Sequence, residues 1–365
     1  MMSATVLHEQ PSVARKKRFS EPPGLVGIHY SRDLVEQTRV SGRLLRINIE
    51  IGTGACNIKC LYCYSSSNHT TGCPHPLTDA EIKSVVLQAK ALGTRSVVLT
   101  GGGEPMLDLE RFFRVVDLVR GFDLDVAVFT NGTRISAAVA EHLAANHVTV
   151  ITKLNSLSKP EVTDTLSGHK HAHELMEAAL KNLLATPLAE EKRLGLETVI
   201  TRMNVLDIQE MWRWARDRRI YPYFELVHIE GRAIQNADTL LLSKEEIKCL
   251  FQQLLQVDRE RYGFDWIPVP PIPGSRCDRL YCGCYVCLGG TVQPCAGLPI
   301  PIGNVRQSSL AEILNSETIR RLREPKKYLA GKCSQCQYLG FCYGCRGDAF
   351  GSACNPFSTD TMCWR

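Results

Sequence analysis

Segments that favour strands and segments that favour helices alternate along the chain from Arg46 to Ile229, and this alternation restricts the fold more than any other feature. It is typical of a parallel sheet whose strands are connected by helices. The pattern contains six units, whereas a complete (β/α)₈ barrel requires eight. We therefore predict an α/β fold, a partial (β/α)6 TIM-like barrel with a small cysteine-rich domain after it. The predicted strands are residues 46–51, 96–103, 125–133, 148–156, 194–201 and 223–229.

The helix predicted at 78–93 has the clearest ends. Thr78 is a suitable N-cap, Glu81 completes a capping box with it, and Gly93 ends the helix. A surface helix is also predicted at 309–324. The other predicted helices are residues 108–121, 136–147, 174–185, 206–218 and 243–263.

The cysteines are unusually many and are clustered. Of the sixteen, three lie at 56–63 and eleven at 277–363. No apolar stretch follows the basic residues 15–18, so the chain has no secretory signal, and no apolar run is long enough to span a membrane. We therefore predict a cytoplasmic protein whose thiols are reduced and bind metal. The net charge of +5 and the absence of an aromatic–basic stripe give no sign of a nucleic-acid partner.

Two motifs follow the first two predicted strands. Cys56, Cys60 and Cys63 come after strand one in a C-x₃-C-x₂-C spacing, which differs from the paired spacing of zinc sites. Three thiols bind three irons of a four-iron cluster and leave the fourth iron open to another ligand. The second motif is TGGGEP (residues 100–105), whose glycines allow a ligand to approach the backbone and whose Glu104 supplies a carboxylate. Both motifs lie where parallel barrels carry their chemistry, at the carboxyl ends of strands.

This pair of motifs resembles that of the radical S-adenosylmethionine (radical SAM) enzymes, which also carry an aromatic residue, here Tyr62, before the last cysteine. The resemblance implies that the cysteine triplet binds a [4Fe–4S] cluster whose open iron chelates SAM. It also implies that Gly102, Gly103 and Glu104 receive the SAM amino group. Reductive cleavage of SAM would give a 5′-deoxyadenosyl radical that abstracts a hydrogen atom from the substrate.

Further candidates follow from their positions at strand ends. Members of that family bind the SAM ribose and carboxylate at the places of Asn131, Asn155 and Ser156. Arg202, after the fifth strand, is a candidate bidentate partner of the carboxylate. For each of these residues an ordinary turn or surface role is the alternative. Glu225 and His228, on the last strand, are candidates to face the substrate.

The cysteines beyond residue 277 contain two C-x₂-C pairs, and in isolation these indicate a zinc ribbon. Behind a radical SAM core the pattern instead resembles the SPASM extension, a small cysteine-rich Fe–S domain that binds two auxiliary [4Fe–4S] clusters. VCLGGTVQPC (residues 286–295) is similar to its β-hairpin. The resemblance assigns one cluster to Cys277, Cys282, Cys295 and Cys345. It assigns the second to Cys333, Cys336, Cys342 and Cys363.

The assignment leaves alternatives open. Cys342 and Cys345 are separated by two residues where the family has three, so one auxiliary cluster or two are both possible. Cys284 or Cys287 could replace Cys282, and Cys354 competes with Cys363. The predicted domains are an irregular, flexible extension at 1–45, a radical SAM core at 46–235 and a SPASM-like domain at 236–365.

The predicted activity is oxidation or epimerisation of a small-molecule intermediate of natural-product biosynthesis, with a flavodoxin or ferredoxin as electron donor. Only about 45 residues precede the first strand, which disfavours the leader-binding domain of many peptide-modifying members. The alternatives are maturation of a ribosomal peptide or enzyme side chain, cofactor biosynthesis, and a non-catalytic Fe–S or zinc scaffold. The unassigned thiols keep epimerisation open, because a thiol can return a hydrogen atom.

Overall fold

A computed structural model describes residues 19–68 and 72–365, and it confirms the predicted α/β fold. Six parallel strands pair in chain order, each with its predecessor. These strands are β1 (Arg46–Glu50), β2 (Ser96–Thr100), β3 (Asp125–Thr130), β4 (Thr149–Lys153), β5 (Leu194–Ile200) and β6 (Tyr221–Leu226). Three short strands follow, β7 (Tyr285–Val286), β8 (Thr291–Gln293) and β9 (Gly303–Asn304).

The helices agree with the predicted periodicity where they connect strands. Thr78 and Glu81 form the predicted capping box at the start of the second helix. The described helices are α1 (Arg32–Ser41), α2 (Asp79–Ala91), α3 (Leu109–Arg120), α4 (Ala137–Ala145), α5 (Pro160–Ser167), α6 (Ala172–Leu184), α7 (Ile208–Asp217), α8 (Arg232–Gln235), α9 (Ala237–Leu240), α10 (Lys244–Val257), α11 (Arg279–Cys282), α12 (Leu310–Leu314), α13 (Glu317–Leu322), α14 (Pro325–Tyr328) and α15 (Arg346–Ala353). A π-helical turn (Asp258–Tyr262) follows α10, and a 3₁₀ turn (Gly331–Gln335) precedes α15. Among the described residues, no helix combines the length and the apolar character that crossing a bilayer requires.

Two predicted helices differ in extent. The helix expected at 243–263 ends at Val257, and the π-helical turn continues the backbone to Tyr262. The helix expected at 309–324 is two helices, because Ser316 caps a new helix immediately after Asn315 ends the first. Ser and Asn bond readily to nearby backbone groups, which favours caps over helix interiors.

Both faces of the strands are buried, as expected for a parallel sheet. Every residue of β2 is buried, and its alternate side chains enter two different clusters. Val97 and Leu99 pack toward the helices, whereas Val98 packs inside the partial barrel. Leu25 and Ile28 pack in the same interior cluster as Val98.

The prediction of an irregular, flexible extension at 1–45 is therefore wrong for its described part. Residues 32–41 form α1, with Ser31 as N-cap and Gly42 in the left-handed conformation at its end. The apolar side chains of this segment are spaced too irregularly to signal a core element. Residues 1–18 lie outside the described part of the chain.

The cysteine-rich region extends the barrel sheet. β7 pairs in parallel with β1, with Asn48 opposite Tyr285, and β8 and β9 continue as antiparallel neighbours. The predicted hairpin at 286–295 is present, and Gly290 adopts a positive φ at its turn. The domains predicted at 46–235 and 236–365 thus share one nine-stranded sheet.

A buried ion pair also connects the two regions. The Nη2 atom of Arg46, on β1, lies 2.6 Å from Oδ1 of Asp278, with side-chain exposures of 8% and 10%. Removing one member of a buried pair leaves the other charge uncompensated. Asp278→Ala should therefore lower the free energy of unfolding by about 3–5 kcal/mol, measured by denaturation of the metal-free protein.

The matched control is Glu110→Ala. Glu110 pairs with Arg114 at 2.8 Å, but the two side chains are 87% and 52% exposed. Its loss should cost less than about 1 kcal/mol. Equal effects of the two substitutions would show that the Arg46–Asp278 pair does not hold the regions together.

Candidate functional site

One cavity at the carboxyl ends of the parallel strands collects most of the predicted site residues. Cys56, Cys60 and Cys63 line it together, on the loop between β1 and α2. Every strand from β1 to β6 contributes to its wall, including Asn48, Thr100, Thr130, Lys153, Glu197 and Glu225. The predicted substrate-facing residues Glu225 and His228 both belong to this wall.

The cysteine loop is held by α8, whose first residue, Arg232, also lines the cavity. The Nε atom of Arg232 donates to the carbonyl of Cys60 at 2.7 Å, and its Nη2 donates to the carbonyl of Ser67 at 2.7 Å. The side-chain amide of Asn236 donates to the carbonyl of Leu61 at 3.1 Å. No sequence motif pointed to Arg232 and Asn236. Their side chains bond backbone carbonyls of a loop that lies 165 to 175 positions earlier in the chain, and such contacts leave no local sequence pattern.

Burial makes Cys56 and Cys60 poor acids when no metal is bound. It raises the pKa of Cys56 to about 11 and that of Cys60 to about 12. Metal ligation requires thiolates, so cluster binding must displace these protons. Cys73 lies on the same loop but outside the cavity lining, so three convergent thiols remain in the wall, which fits a cluster with one open iron.

The glycine motif is packed directly against the cysteine loop. The backbone N–H of Glu104 donates to the carbonyl of Ala55 at 2.9 Å. Gly103 has a φ of +123°, and a Cβ atom there would lie 2.2 Å from the same carbonyl oxygen. Only glycine permits this approach.

Glu104 is buried and has several donors around its carboxylate. Its oxygens accept from Thr130 Oγ1 at 2.6 Å, from the backbone N–H of Asn131 at 2.8 Å and from that of Met106 at 3.0 Å. Burial raises the pKa of Glu104. A carboxylate has about four acceptor positions, so three donors leave one for the ammonium group of a ligand.

Two other predicted residues organise the cavity wall. Asn131 lines the cavity, and its Nδ2 donates to Asn57 Oδ1 at 2.9 Å and lies 3.8 Å from Cys56 Sγ. Tyr62 lines it as well, and its hydroxyl donates to Asn155 Oδ1 at 3.0 Å. Asn155 is buried behind Tyr62 and outside the cavity, so it orients a lining residue and does not line the cavity itself.

Three residues that were predicted to contact SAM do not line this cavity. Arg202 is half exposed and bonds Glu246 at 3.2 Å, because the chain after β5 turns it away from the cavity. Ser156 is fully buried and donates to Asp207 at 2.7 Å, so its hydroxyl is already used within the fold. A Cβ added to Gly102 would meet Leu288 and the Glu50 carboxylate, whereas its neighbours Gly101 and Gly103 line the cavity.

Charged residues of the cavity wall were not among the residues predicted to bind SAM. Lys153, at the end of β4, lies 3.3 Å from Glu197 and 4.8 Å from the centre of the Tyr62 ring. Burial opposes the charge of Lys153, but Glu197 raises its pKa above the usual range. Arg279, on α11, lies 2.9 Å from Glu225. The sequence does contain one signal for the Lys153–Glu197 pair, which is a lysine at the end of a buried strand, in the segment KLNS.

The C-terminal cysteines form two neighbourhoods. In the first, Cys277 is close enough for its charge to raise the pKa of Cys282, Cys295 and Cys345 in addition to the larger effect of burial. Cys295 also lines the cavity. In the second, burial is again the main cause of the raised pKa of Cys363, and Cys333 and Cys336 add to it. Cys342 has Cys363 as a neighbour and also Cys277, so it lies where the two neighbourhoods meet.

The competing thiols lie apart from these neighbourhoods. Cys354 is exposed at the end of α15, and Cys249 is exposed on α10. Burial raises the pKa of Cys284 and Cys287, and their charged neighbours are Arg323, Glu50 and Glu230 instead of cysteines. Of the thiols outside the two predicted auxiliary sets and the triplet, Cys284 alone lines the cavity within the described residues.

Comparison with known proteins agrees with this geometry. A family model described as the radical SAM superfamily matches residues 51–214, and one described as an iron–sulfur cluster-binding domain, SPASM, matches residues 277–337. An AdoMet-dependent heme synthase of Methanosarcina barkeri is 23% identical over 342 residues, 85% of this chain and 94% of that protein. The mycofactocin maturase MftC of Mycolicibacterium smegmatis is 28% identical over 306 residues, 80% of this chain and 75% of that protein.

A solved structure has the same fold. Streptococcus suis SuiB bound to the precursor peptide SuiA has a TM-score of 0.64 at 16% identity, covering 91% of this chain and 79% of that one.

Gly103→Ala should prevent cluster assembly at the triplet, because the added Cβ collides with the Ala55 carbonyl. Reconstituted protein should then contain about four fewer irons per chain. Gly42→Ala is the control, since Gly42 also has a positive φ, of +69°, but has nothing within 4 Å of the added atom. Equal iron contents in the two variants would show that cluster assembly does not depend on the close approach of Gly103 to the Ala55 carbonyl.

Proposed function

Since the chain is a radical SAM enzyme with a C-terminal SPASM domain, we propose that it matures a peptide by oxidising one of its residues. Such enzymes bind SAM at a [4Fe–4S] cluster. The cluster and SAM together supply a 5′-deoxyadenosyl radical that abstracts a hydrogen atom. One observation carries the proposal. The cysteine triplet and Cys295, a predicted auxiliary ligand, line the same cavity. A substrate held there lies between the site of hydrogen abstraction and an electron acceptor.

In this proposal the triplet binds the SAM cluster and Glu104 binds the SAM amino group. Lys153 takes the role predicted for Arg202 and binds the SAM carboxylate, because it is a buried cation in the same wall as the triplet. Asn131 lies beside Cys56, where it can bind the ribose. Tyr62, fixed by Asn155, closes the wall beneath Lys153.

The auxiliary clusters are assigned on proximity. Cys277, Cys282, Cys295 and Cys345 hold the cluster next to the cavity, and Cys333, Cys336, Cys342 and Cys363 hold the second. Cys282 is preferred to Cys284 and Cys287 because it has Cys277 as a neighbour. Cys363 is preferred to Cys354 because it has Cys333 and Cys336 as neighbours.

The relatives favour a peptide over the small natural product predicted from the sequence. One is a maturase, and a structure of the same fold holds a precursor peptide. Oxidation is favoured over epimerisation by the position of Cys295 in the cavity wall. A second candidate is cofactor biosynthesis, which the likeness to a heme synthase over 85% of this chain supports.

Lys153→Met should weaken SAM binding by about ten- to a hundredfold, since a hydrogen bond to a charged group is worth about 1.5–3 kcal/mol. Calorimetric titration of the anaerobic, reconstituted protein measures this change. Arg202→Met is the control and should bind SAM as the native protein does. The double variant Lys153→Met/Glu197→Gln should remain weak, which shows that a stranded Glu197 charge is not the cause. Native affinity in both lysine variants would remove Lys153 from the SAM site.

The reaction can be tested with SAM, dithionite and the short precursor peptide encoded nearest to the gene for this chain. Oxidation predicts a peptide lighter by the mass of one hydrogen molecule, formed equally well by Cys284→Ala. Epimerisation predicts unchanged mass in ordinary water, deuterium uptake in heavy water and loss of that uptake in Cys284→Ala. Turnover of a heme precursor, with no change in the peptide, would support the second candidate instead.

A further inference from the structure

His228 lines the cavity and also lies close to Cys345, a predicted ligand of the first auxiliary cluster. It follows β6 and lines the cavity wall. Its Nδ1 atom lies 4.0 Å from Cys345 Sγ. One ligand atom each of His228, Cys345 and Asp348 all lie within 4.8 Å of one another.

This group is not satisfied within the described chain. His228 Nε2 and Asp348 Oδ1 are both buried and have no hydrogen-bond partner among the described residues. A buried polar atom left unpaired costs about 1–3 kcal/mol. Two residues beside the same cysteine thus each carry a buried, unpaired atom, which indicates that this place is incomplete without a further bound group.

We propose that His228 donates a hydrogen bond from Nδ1 to the sulfur of Cys345 and thereby raises the reduction potential of the auxiliary cluster bound there. The inference rests on the proposed function, which assigns Cys345 to that cluster. Hydrogen bonds to the sulfurs are one of the determinants of cluster potential, together with net charge and exposure. An N–H donor stabilises the reduced cluster more than the oxidised one, because reduction adds negative charge.

The position of His228 distinguishes it from Asp348. Asp348 lies beside Cys345 but does not line the cavity, whereas His228 does. In the proposed oxidation, the substrate radical loses one electron, the auxiliary cluster gains that electron, and a proton leaves to water. His228 is then a positioning residue that makes the cluster nearest the substrate a better electron acceptor.

The test uses the full chain with Cys56, Cys60 and Cys63 replaced by Ala, so that only the auxiliary clusters remain. This background should contain about eight irons per chain. Potentiometric titration followed by electron paramagnetic resonance measures both auxiliary potentials without any substrate. His228→Leu should shift one potential to a more negative value and leave the other unchanged. His228→Asn keeps an N–H donor and should restore most of the native value.

His173→Asn is the matched control, because His173 is also buried but bonds Thr163 on α5, outside the cysteine-rich region. It should change neither potential. If His228→Leu binds less iron, His228→Val gives the same comparison with a smaller side chain.

The two possible failures are distinct. Full iron with unshifted potentials in the leucine variant, or equal shifts of both potentials, would overturn the role of His228 alone. An iron content near four or zero in the triple-alanine background would overturn the two-cluster assignment, and with it this inference.

Discussion

Three thiols that converge in the wall of one cavity are the constraint on which the rest of the structure depends. Burial raises the pKa of Cys56 to about 11 and that of Cys60 to about 12, so without metal these two thiols keep their protons. Binding of a cluster converts them to thiolates and fixes the spacing of the loop. The described residues of that loop, 51–68 and 72–78, form no helix or strand, so their arrangement depends on contacts with neighbouring elements. Gly103 supports it from one side and Arg232 from the other.

The structure also depends on how the open edge of the partial barrel is covered. Six strands do not close a barrel, and an uncovered edge at β1 would expose unpaired backbone groups. β7 covers that edge and brings α11 and the hairpin to the cavity. The cavity wall therefore comes from both halves of the chain, with Arg46 and Asp278 paired beneath it. A boundary drawn at residue 235 marks a change in composition and does not separate two independent bodies.

The sequence predicts those parts of the site that depend on strand order. The triplet, Glu104 and Asn131 were found because each follows a buried strand, and parallel strands end at one edge. Arg202 and Ser156 also follow strands, but the direction of a side chain beyond a strand end depends on loop geometry that periodicity does not contain. Lys153 is the last residue of β4 itself, where alternation does predict direction, yet a lone lysine resembles a surface residue until its partner on β5 is seen. Helix α1 was missed because its apolar residues are few, and Val35 is its one hydrophobic side chain buried in the core.

The charges of the cavity explain why the C-terminal region belongs to the SAM site. Buried ion pairs add little stability compared with apolar replacements, so Lys153–Glu197 and Arg279–Glu225 require another explanation. Glu197 is influenced by Arg279 as well as by Lys153, and Glu225 is influenced by Lys153 as well as by Arg279, so the four form one connected, neutral group. In the site proposed above, the carboxylate of SAM approaches Lys153 and adds a third negative charge to a group that has two positive ones. Arg279, supplied by α11, keeps Glu225 paired, so Lys153 alone is shared between Glu197 and the SAM carboxylate. Without α11 the same site would hold three negative charges against one positive charge, so the barrel needs the C-terminal region to bind this zwitterion.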